Sequence, residues 1–454
     1  MLGSPVITPR ILSEEALNEV FAPKYKVLCG VDVRQLVTAA RDALQLRSTV
    51  APSEVLIHDV GHFNKVFLVR FGQTAVVARV PFNVPAARDP IRLKSQVATL
   101  DFLALYRPHI AVPRVIAAAV TNSSTNSAGA PYVISQFLTG TPITYIEWCD
   151  NLSSASRDAV VDLLADLWVK ITAPVPFNAI GSILHDPSGV VNGMWRIDAS
   201  GSRRGFRIIP MIPQFPDRYT EVLEPSFERR TGPMNLADFW ASKIQEQFRN
   251  ITSRYPNNDL SVIVKDGLFN EHSLGELWQC AKAVQTIAAI AASLDPLATP
   301  HGREPIMALM HADYACWRNV LFSADRTRIE GIVDWDDAVV VPRDLAAVYP
   351  EELTHEASWR SDPDDVFAIP PGTLYEDTGL WNTAIQETQQ RRRFRELVQR
   401  QDPQLAALYT DRRARLRRRV HYLVMYGWCT WLWKQKWVLG EGLDEARALA
   451  ERRV

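Results

Sequence analysis

The sequence contains few cysteines and no excess of charge of either sign. Its 454 residues carry 50 Lys and Arg against 51 Asp and Glu, which gives a formal net charge of −1. Because no net positive field attracts nucleic acid or an anionic membrane, we expect neither partner and predict a small-molecule partner instead. The cysteines are odd in number and far apart, which excludes a disulfide framework and a zinc knuckle. They are Cys29, Cys149, Cys280, Cys316 and Cys429.

The motifs of several common enzyme classes are also absent. The sequence contains no G-x-S-x-G, no H-E-x-x-H, no P-loop and no G-x-G-x-x-G. Residues 1–21 have no apolar run of signal-peptide length and include Glu14 and Glu15, which argues against secretory and mitochondrial targeting. A cytoplasmic location is therefore predicted.

Two segments of the C-terminal third each have two interpretations. One is a membrane element or a nucleic-acid contact, and the other is an ordinary helix of the fold. Residues 420–433 are apolar on nearly every side but too short to span a bilayer, so they predict a buried helix. Residues 411–419, DRRARLRRR, are rich in arginine without interleaved aromatic residues. They predict a solvated helix face rather than a nucleic-acid contact.

The order of patterns along the chain predicts two unequal lobes. Residues 1–50 predict an N-terminal helical extension, and 51–138 predict an N-lobe of five strands and one helix. Residues 139–454 predict a mainly helical C-lobe. Within it, 178–233 is rich in Gly, Pro, Ser and Arg, and predicts an irregular insertion.

The C-lobe contains residues that phosphoryl transfer requires. That reaction needs a base beside the acceptor hydroxyl, ligands for the metal on the phosphates, and a cation on the phosphate oxygens. HADYACWRN, residues 311–319, supplies His311, Asp313 and Asn319, and the later strand IEGIVDW supplies Asp334 near its end. Each fragment alone also fits a capped loop or a solvated strand end, but their order favours a kinase.

These fragments resemble the aminoglycoside phosphotransferase-like kinases. The likeness lies in HADYACWRNVLF and in GIVDWDDAVVVPRDLAA, and the fragments at 180–184 and 231–240 are similar to a fungal-type branch. The resemblance implies an α+β, bilobal protein-kinase-like fold with a small antiparallel N-lobe and a larger helical C-lobe. It also implies transfer of the γ-phosphate of ATP, or of GTP, to the hydroxyl of a small molecule with Mg²⁺, at a substrate site shaped by the 178–233 insertion.

The resemblance gives roles to residues in the C-lobe. Asp313 is expected to orient or accept the proton of the acceptor hydroxyl, and His311 to brace the loop. Asn319 and Asp334 are expected to bind magnesium. Asp336 and Asp337 follow the metal aspartate and are expected to contact the substrate, although a helix cap or a salt bridge explains them equally well.

The resemblance also predicts a nucleotide site in the N-lobe. Gly61 and Asn64 are expected to cover the phosphates from a hairpin turn. Arg79 on the third strand is expected to contact the phosphates, and Gln96 on the helix to support that contact. Ser135, Gln136 and Phe137 are expected to meet the adenine at the hinge.

Three departures from the family pattern leave a second function open. Arg79 replaces the usual lysine, Gln96 replaces the usual glutamate, and five residues instead of four separate Asp313 from Asn319. We expect the extra residue to bulge out of the loop 314–318. The alternative is a pseudokinase or repurposed member that binds a small molecule, or does other chemistry, in the same cleft.

Overall fold

The structure is a computed structural model of the whole chain. It describes residues 30–61, 63–83, 87–123, 126–186, 196–197, 203–212, 234–266, 270–297, 305–354, 359, 362–374 and 378–451. The predicted helical extension therefore lies outside the described residues up to position 29.

Five strands of the first 140 residues form one antiparallel sheet in the order β1-β2-β3-β5-β4. The alternation of β-branched and polar residues in these segments favours strands with one buried face. Gly72 makes the turn between β2 and β3 with a φ of +59°, which glycine adopts without strain. The strands are β1 (Glu54–Val60), β2 (Asn64–Phe71), β3 (Thr74–Pro81), β4 (Val115–Ala119) and β5 (Tyr132–Gln136).

A short helix, α1 (Val33–Ala43), covers one face of this sheet. The side chain of Asp32 caps it by accepting hydrogen bonds from the N–H groups of its first turn. Leu36 and Ala40 are fully buried and belong to the same hydrophobic core as Val69 of β2. The helix therefore contributes to the interior of the small lobe.

The second helix, α2 (Pro90–Tyr106), connects the small lobe to the large one. Asp89 caps its first turn, and Pro90 starts it where no N–H bond is lost. Its inner residues, such as Phe102, belong to the large core, and the helix packs along β7 (Ser182–Asp186).

The larger lobe is mainly helical, with small sheets between the helices. Its helices are α3 (Ser154–Ile171), α4 (Leu236–Arg254), α5 (Leu274–Ala292), α6 (Thr378–Gln401), α7 (Pro403–Thr410), α8 (Arg412–Tyr426), α9 (Trp428–Trp433) and α10 (Gly442–Glu451). Its other strands are β6 (Pro174–Val175), β8 (Arg196–Ile197), β9 (Arg203–Ile209), β10 (Ile263–Lys265), β11 (Glu271–Ser273), β12 (Met307–Met310), β13 (Val320–Phe322), β14 (Ile329–Ile332) and β15 (Val339–Pro342). The predicted α+β bilobal, kinase-like fold is confirmed.

Two predictions for the large lobe need correction. The insertion 178–233 is not irregular where it is described, because β7, β9 and β8 form an antiparallel sheet within it. The helical pattern of residues 404–437 predicts one long helix, but the chain divides it at Asp411, which caps α8, and at Gly427, whose φ is +75°. A positive φ at Gly427 ends the helix and lets Trp428 start the next one.

The prediction of a solvated arginine face at 411–419 is wrong for its second half. Arg417 and Arg418 are 2% exposed and Arg419 is 8% exposed. Their partners are carboxylates distant in sequence: Arg417 bonds Asp344 at 2.6 Å, and Arg418 bonds Asp362 at 2.7 Å. The apolar stretch after them is mainly buried, as predicted, although Tyr426 is 57% exposed. Each helix in the described part of the chain is too short or too polar to span a bilayer.

Candidate active site

Two loops meet at the inner end of the cleft between the lobes. His311 joins them, since its Nε2–H donates to the carbonyl of Val333 at 2.8 Å and its Nδ1 accepts from the N–H of Asp313 at 3.2 Å. Val333 returns a hydrogen bond from its N–H to the carbonyl of Asn319 at 2.9 Å. Burial lowers the pKa of His311, so the neutral ring with this tautomer is favoured. This geometry supports the bracing role expected for His311.

The lengthened loop turns inward at its start instead of bulging there. Tyr314, Ala315 and Cys316 are all buried, and the carbonyl of Ala315 accepts from the N–H groups of residues 318, 319 and 320. Both carboxylate oxygens of buried Glu352 accept from the N–H of Cys316 at 3.2 Å. The prediction of an outward bulge is therefore wrong for 314–316, since the exposed position of the loop is Arg318.

This turn brings Asn319 to Asp313. The Nδ2 group of Asn319 donates to the carbonyl of Asp313 at 2.7 Å and to its Oδ2 at 2.8 Å. Asn319 is 5% exposed, whereas the side chain of Asp313 is 47% exposed. The extra residue therefore does not separate the two side chains, and Asp313 remains open to the cleft.

Asp334 occupies an unusual backbone position directly after β14. Its φ is +64°, in the left-handed region that costs most residues energy and that aspartate tolerates better than others. Its Oδ1 accepts from Nη2 of Arg79 at 2.8 Å. Burial raises the pKa of Asp334, but the adjacent Arg79 outweighs that effect and leaves the pKa lowered.

Arg79 joins the small lobe to the large one. From β3 it bonds Asp334, and its Nη1 donates to Oδ1 of Asp336 at 2.7 Å. When the side-chain amide of Asn64 is oriented with its oxygen toward Arg79, this Oδ1 accepts from Nη2 of Arg79 at 2.9 Å and from Nε of Arg79 at 3.2 Å. The guanidinium fork therefore connects two carboxylates and the hairpin turn that is expected to cover the phosphates.

Asp336 and Asp337 both face arginines of the small lobe. Asp337 accepts from Nη1 of Arg92 at 2.7 Å. Burial raises the pKa of Asp336 to about 7 despite Arg79, and it raises that of Asp337 despite Arg92. The salt-bridge explanation of these two residues is thus the one found here, and their expected contact with substrate remains a prediction.

Gln96 does not support Arg79 in this structure. It is 5% exposed on α2, among residues that pack toward the large core. The hydrogen bonds of Arg79 among the described residues go to Asp334, Asp336 and Asn64. Gln96 is therefore not joined to Arg79 by a direct bond; Arg79 has other partners, one of the two outcomes expected when Gln96 replaces the usual glutamate, and a role for Gln96 in the nucleotide site remains a prediction.

The predicted hinge and turn residues lie at the small-lobe side of the cleft. In the hinge, Gln136 donates its N–H to Arg114 and Phe137 donates its N–H to Ala75. These two donors are therefore engaged by the sheet, and Ser135 is buried in β5. Gly61 donates its N–H to the carbonyl of Asn64 at 3.0 Å and so closes the turn.

Three charged residues of the site were not predicted. Arg318 donates from Nη2 to Oδ1 of Asp313 at 2.6 Å and also contacts Glu351. Arg92 holds Asp337, and Glu352 holds the loop. The only sequence signal for Arg318 is its place next to Asn319. Arg92 and Glu352 carry no local signal, because their partners are distant in sequence.

The donor set fits a magnesium ion carried by a nucleotide better than a resident metal. Across the described residues, no group of three or more His, Cys, Asp or Glu side chains is arranged to hold a metal ion. Magnesium in nucleotide sites takes only one or two protein carboxylates, with phosphate oxygens and water completing its shell. Asp334 could supply one carboxylate ligand, and Asn319 could add its amide oxygen.

Comparison with known proteins by sequence finds distant fungal relatives, whereas no family model matches the chain. Altered inheritance of mitochondria protein 9 of Candida albicans is 24% identical over 277 residues, covering 58% of this chain and 42% of the relative. The same protein of Candida tropicalis is 27% identical over 252 residues, covering 53% and 38%. A subtelomeric hrmA-associated cluster protein of Aspergillus fumigatus is 23% identical over 325 residues, covering 66% and 60%. The chain thus spans about two fifths of the Candida relatives.

Comparison of structures finds phosphotransferases of low identity. A Ralstonia eutropha protein assigned to the aminoglycoside phosphotransferases has a TM-score of 0.43 and 13% identity, covering 92% of this chain and 99% of its own. The aminoglycoside phosphotransferase APH(4)-Ia has a TM-score of 0.42 and 14% identity, with the same coverage.

The prediction of a cytoplasmic location is contradicted by the sequence relatives. The Candida proteins are named as mitochondrial proteins. The prediction rested on a missing apolar run and on two acidic residues in the first 21 positions. The argument against mitochondrial targeting is therefore wrong by this comparison, because two acidic residues and a missing apolar run do not assign a compartment.

Proposed function

We propose that this protein is a magnesium-dependent kinase that transfers the γ-phosphate of ATP to a hydroxyl of a small molecule. The observation that carries the proposal is the meeting of Asp313, Asn319 and Asp334 on two loops that are bonded through His311 and Val333. Arg79, from the opposite lobe, adds a cation to the same place. A base, two metal-type ligands and a phosphate-binding cation are the parts that phosphoryl transfer needs.

Asp313 is the acceptor-facing group in this proposal. The acceptor oxygen attacks the γ-phosphorus, the bond from that phosphorus to the β-bridging oxygen breaks, and ADP leaves. The proton of the hydroxyl passes to Asp313. Its Oδ1 contacts Arg318 and its Oδ2 contacts Asn319, so the carboxylate is held in one orientation.

Arg79 and the hairpin turn are the nucleotide-facing groups. An arginine binds phosphate oxygens in a bidentate manner and keeps its charge at every physiological pH. Magnesium, when bound with the nucleotide, would neutralise the phosphate charge next to Asp334 and Asn319. Asn64 bonds Arg79 and lies at the turn closed by Gly61, so this turn is joined directly to the cation.

Two variants test the proposal against a mixture of small alcohols and Mg-ATP, with ADP formation as the measurement. Asp313→Asn is expected to bind Mg-ATP like the wild type and to lose transfer by at least about a hundredfold, the scale of a lost general base. Asp334→Ala is expected to lose both transfer and the preference for Mg-ATP over metal-free ATP. Unchanged transfer in both variants would refute the assignment.

A specific observation favours a second candidate, a binding protein without transfer. Arg79 already engages both Asp334 and Asp336, so a metal has to compete with a guanidinium for Asp334. Thermal unfolding with millimolar ATP, with and without Mg²⁺, separates the two. A kinase site at a hundred times its Kd is stabilised by about 2.7 kcal/mol, whereas a chain that no longer binds the nucleotide is not stabilised.

A further inference from the structure

Asp336 has no part in the transfer described above, although it bonds the cation of the proposed nucleotide site. Its Oδ1 accepts from Nη1 of Arg79 at 2.7 Å. The side chain of Asp336 is 12% exposed, whereas that of Asp334, the other carboxylate on Arg79, is 42% exposed. The two carboxylates that hold Arg79 therefore differ in their access to the cleft.

Arg79 bonds these two carboxylates through different nitrogens. Nη2 donates to Asp334 at 2.8 Å, and Nη1 donates to Asp336. Asp334 is the proposed magnesium ligand, so its bond to Nη2 is the one that has to be exchanged when the nucleotide binds. The bond from Nη1 to Asp336 uses another nitrogen and another carboxylate, so it can persist through that exchange. Arg79 then keeps one carboxylate partner while Nη2 turns to a phosphate oxygen.

The turn that carries Asp336 is fixed on both sides of that residue. Before it, Trp335 is 1% exposed, and its Nε1–H donates to the carbonyl of Ile332 at 3.1 Å. After it, Asp337 accepts from Arg92 of α2 at 2.7 Å, and Arg92 is 6% exposed. Asp336 is therefore placed by its neighbours, whatever bonds its own side chain makes.

The helix that supplies such a carboxylate in the kinase pattern does not do so here. That pattern places a glutamate on α2 to hold the cation of the third strand, and this chain has Gln96 there. The described residues that bond Arg79 are Asp334, Asp336 and Asn64. Only the two aspartates carry a charge, and a hydrogen bond between two charged groups is stronger than one to a neutral amide. With Asp334 on the metal, Asp336 is the partner that can replace the missing glutamate.

We propose that Asp336 is the positioning residue for Arg79. It takes the place of the helix glutamate, and it keeps the guanidinium in the cleft while Asp334 serves the metal of Mg-ATP. Its role is thus toward the nucleotide and not toward the acceptor. The inference rests on the proposed function, because it takes Arg79 as the phosphate-binding cation and Asp334 as the metal ligand.

The test compares Asp336→Asn with Asp336→Ala by calorimetric titration of the full chain with Mg-ATP. Both variants remove one negative charge, so the effect of that charge cancels from the comparison. Asp336→Asn keeps an oxygen that accepts from Nη1 of Arg79. It should bind Mg-ATP about threefold to tenfold more tightly than Asp336→Ala, the scale of one hydrogen bond. Adenosine has no phosphate groups, so the two variants should bind it equally.

The same two substitutions in the Arg79→Ala background are the first control. Without the guanidinium the retained oxygen has no donor, so both double variants should bind Mg-ATP equally. Asp162 provides a matched control, since it bonds Arg393 between α3 and α6. Asp162→Asn and Asp162→Ala should both bind Mg-ATP like the wild type. If Asp336→Ala does not fold, Asp336→Leu, which has the shape of asparagine without its polar atoms, replaces it.

Equal affinities of Asp336→Asn and Asp336→Ala for Mg-ATP would overturn the inference. A difference that persists in the Arg79→Ala background would also overturn it, because Asp336 would then be a ligand of the metal or of the nucleotide itself. A matching difference for adenosine would contradict it as well, since a general distortion of the cleft weakens both ligands.

The outcomes separate this inference from the proposed function. If the wild type binds Mg-ATP and the two variants are equal, the inference alone fails. If the wild type binds no Mg-ATP, the proposed function fails and the inference falls with it. If the variants differ as expected but no alcohol is phosphorylated, the transfer reaction fails and the inference stands.

Discussion

Two groups of arginine–aspartate pairs in this protein have similar distances and very different surroundings. In the interior of the large lobe, Arg417 and Asp344 are 2% and 1% exposed. In the cleft, the side chain of Arg79 is 20% exposed and that of Asp334 is 42% exposed. The first pair has no water to replace a lost partner. The second can exchange its partner for a phosphate or a metal ion, so we assign stability to the first and ligand binding to the second.

The interior pairs predict the largest effect. Asp344→Ala leaves Arg417 buried without its carboxylate, and we expect the free energy of unfolding to fall by about 3 to 5 kcal/mol. Denaturation by urea measures it. Asp344→Asn keeps an acceptor oxygen and should lose less, which also covers the case in which the alanine variant does not fold.

A solvent-exposed pair provides the control for that variant. The side chains of Arg393 and Asp162 are 42% and 36% exposed at a separation of 2.5 Å. Arg393→Ala should cost less than about 1 kcal/mol. Equal losses for Asp344→Ala and Arg393→Ala would contradict the distinction between interior and exposed pairs.

Glu352 is a third case, a buried carboxyl held by backbone instead of by arginine. Burial raises its pKa to about 7 from 4.5. A raised pKa means that the folded protein holds the proton more tightly, so the associated stability is complete below pH 4.5 and is lost as the pH rises to 7. Glu352→Gln cannot ionise, and we expect it to lose less unfolding free energy than the wild type over that range.

The size of that effect is limited by the shift itself. At about 1.4 kcal/mol for each pKa unit, the difference between wild type and Glu352→Gln is at most roughly 3.5 kcal/mol. Urea unfolding at several pH values from 4.5 to 8 measures it. Parallel pH dependences for the two proteins would show that the carboxyl of Glu352 does not titrate in this range.

The cleft pair predicts a smaller effect, on binding and not on stability. Arg79→Ala should weaken ATP about tenfold to a hundredfold, the scale of hydrogen bonds to a charged group, and should change the unfolding free energy by about 1 kcal/mol or less. Calorimetry measures the ATP affinity, and urea unfolding measures the free energy of unfolding. Arg79→Lys keeps the charge without the fork and should lie between. Unchanged ATP affinity with a large loss of stability would make this pair structural.

Local patterns predicted much of the fold because its strands and helices follow hydrophobic periodicity and capping within short segments. The five strands of the small lobe and helix α2 lie within 51–138, where the sequence predicts five strands and one helix. The burial of Arg417 and Arg418 was not predicted, because their partners Asp344 and Asp362 lie more than 50 positions away in the sequence. An arginine-rich run next to an apolar one therefore resembles a solvated face until its partners are known.

The sequence predicted which residues form the candidate site but not which of them bond one another. The motif identified Asp313, Asn319 and Asp334. It could not indicate that Arg79 binds Asp336 as well as Asp334, or that Gln96 does not bond Arg79. These contacts depend on how β3 and α2 face the large lobe, which no spacing within a single segment determines.

The preference of the protein for magnesium-bound nucleotide tests the central claim most directly. Calorimetric titration of the wild type and of Asp334→Asn with ATP, each with and without Mg²⁺, gives four affinities. The account predicts that Mg²⁺ tightens ATP binding at least about tenfold in the wild type, or roughly 1.4 kcal/mol, and has no effect in Asp334→Asn. Equal binding of ATP with and without Mg²⁺ by the wild type would contradict it.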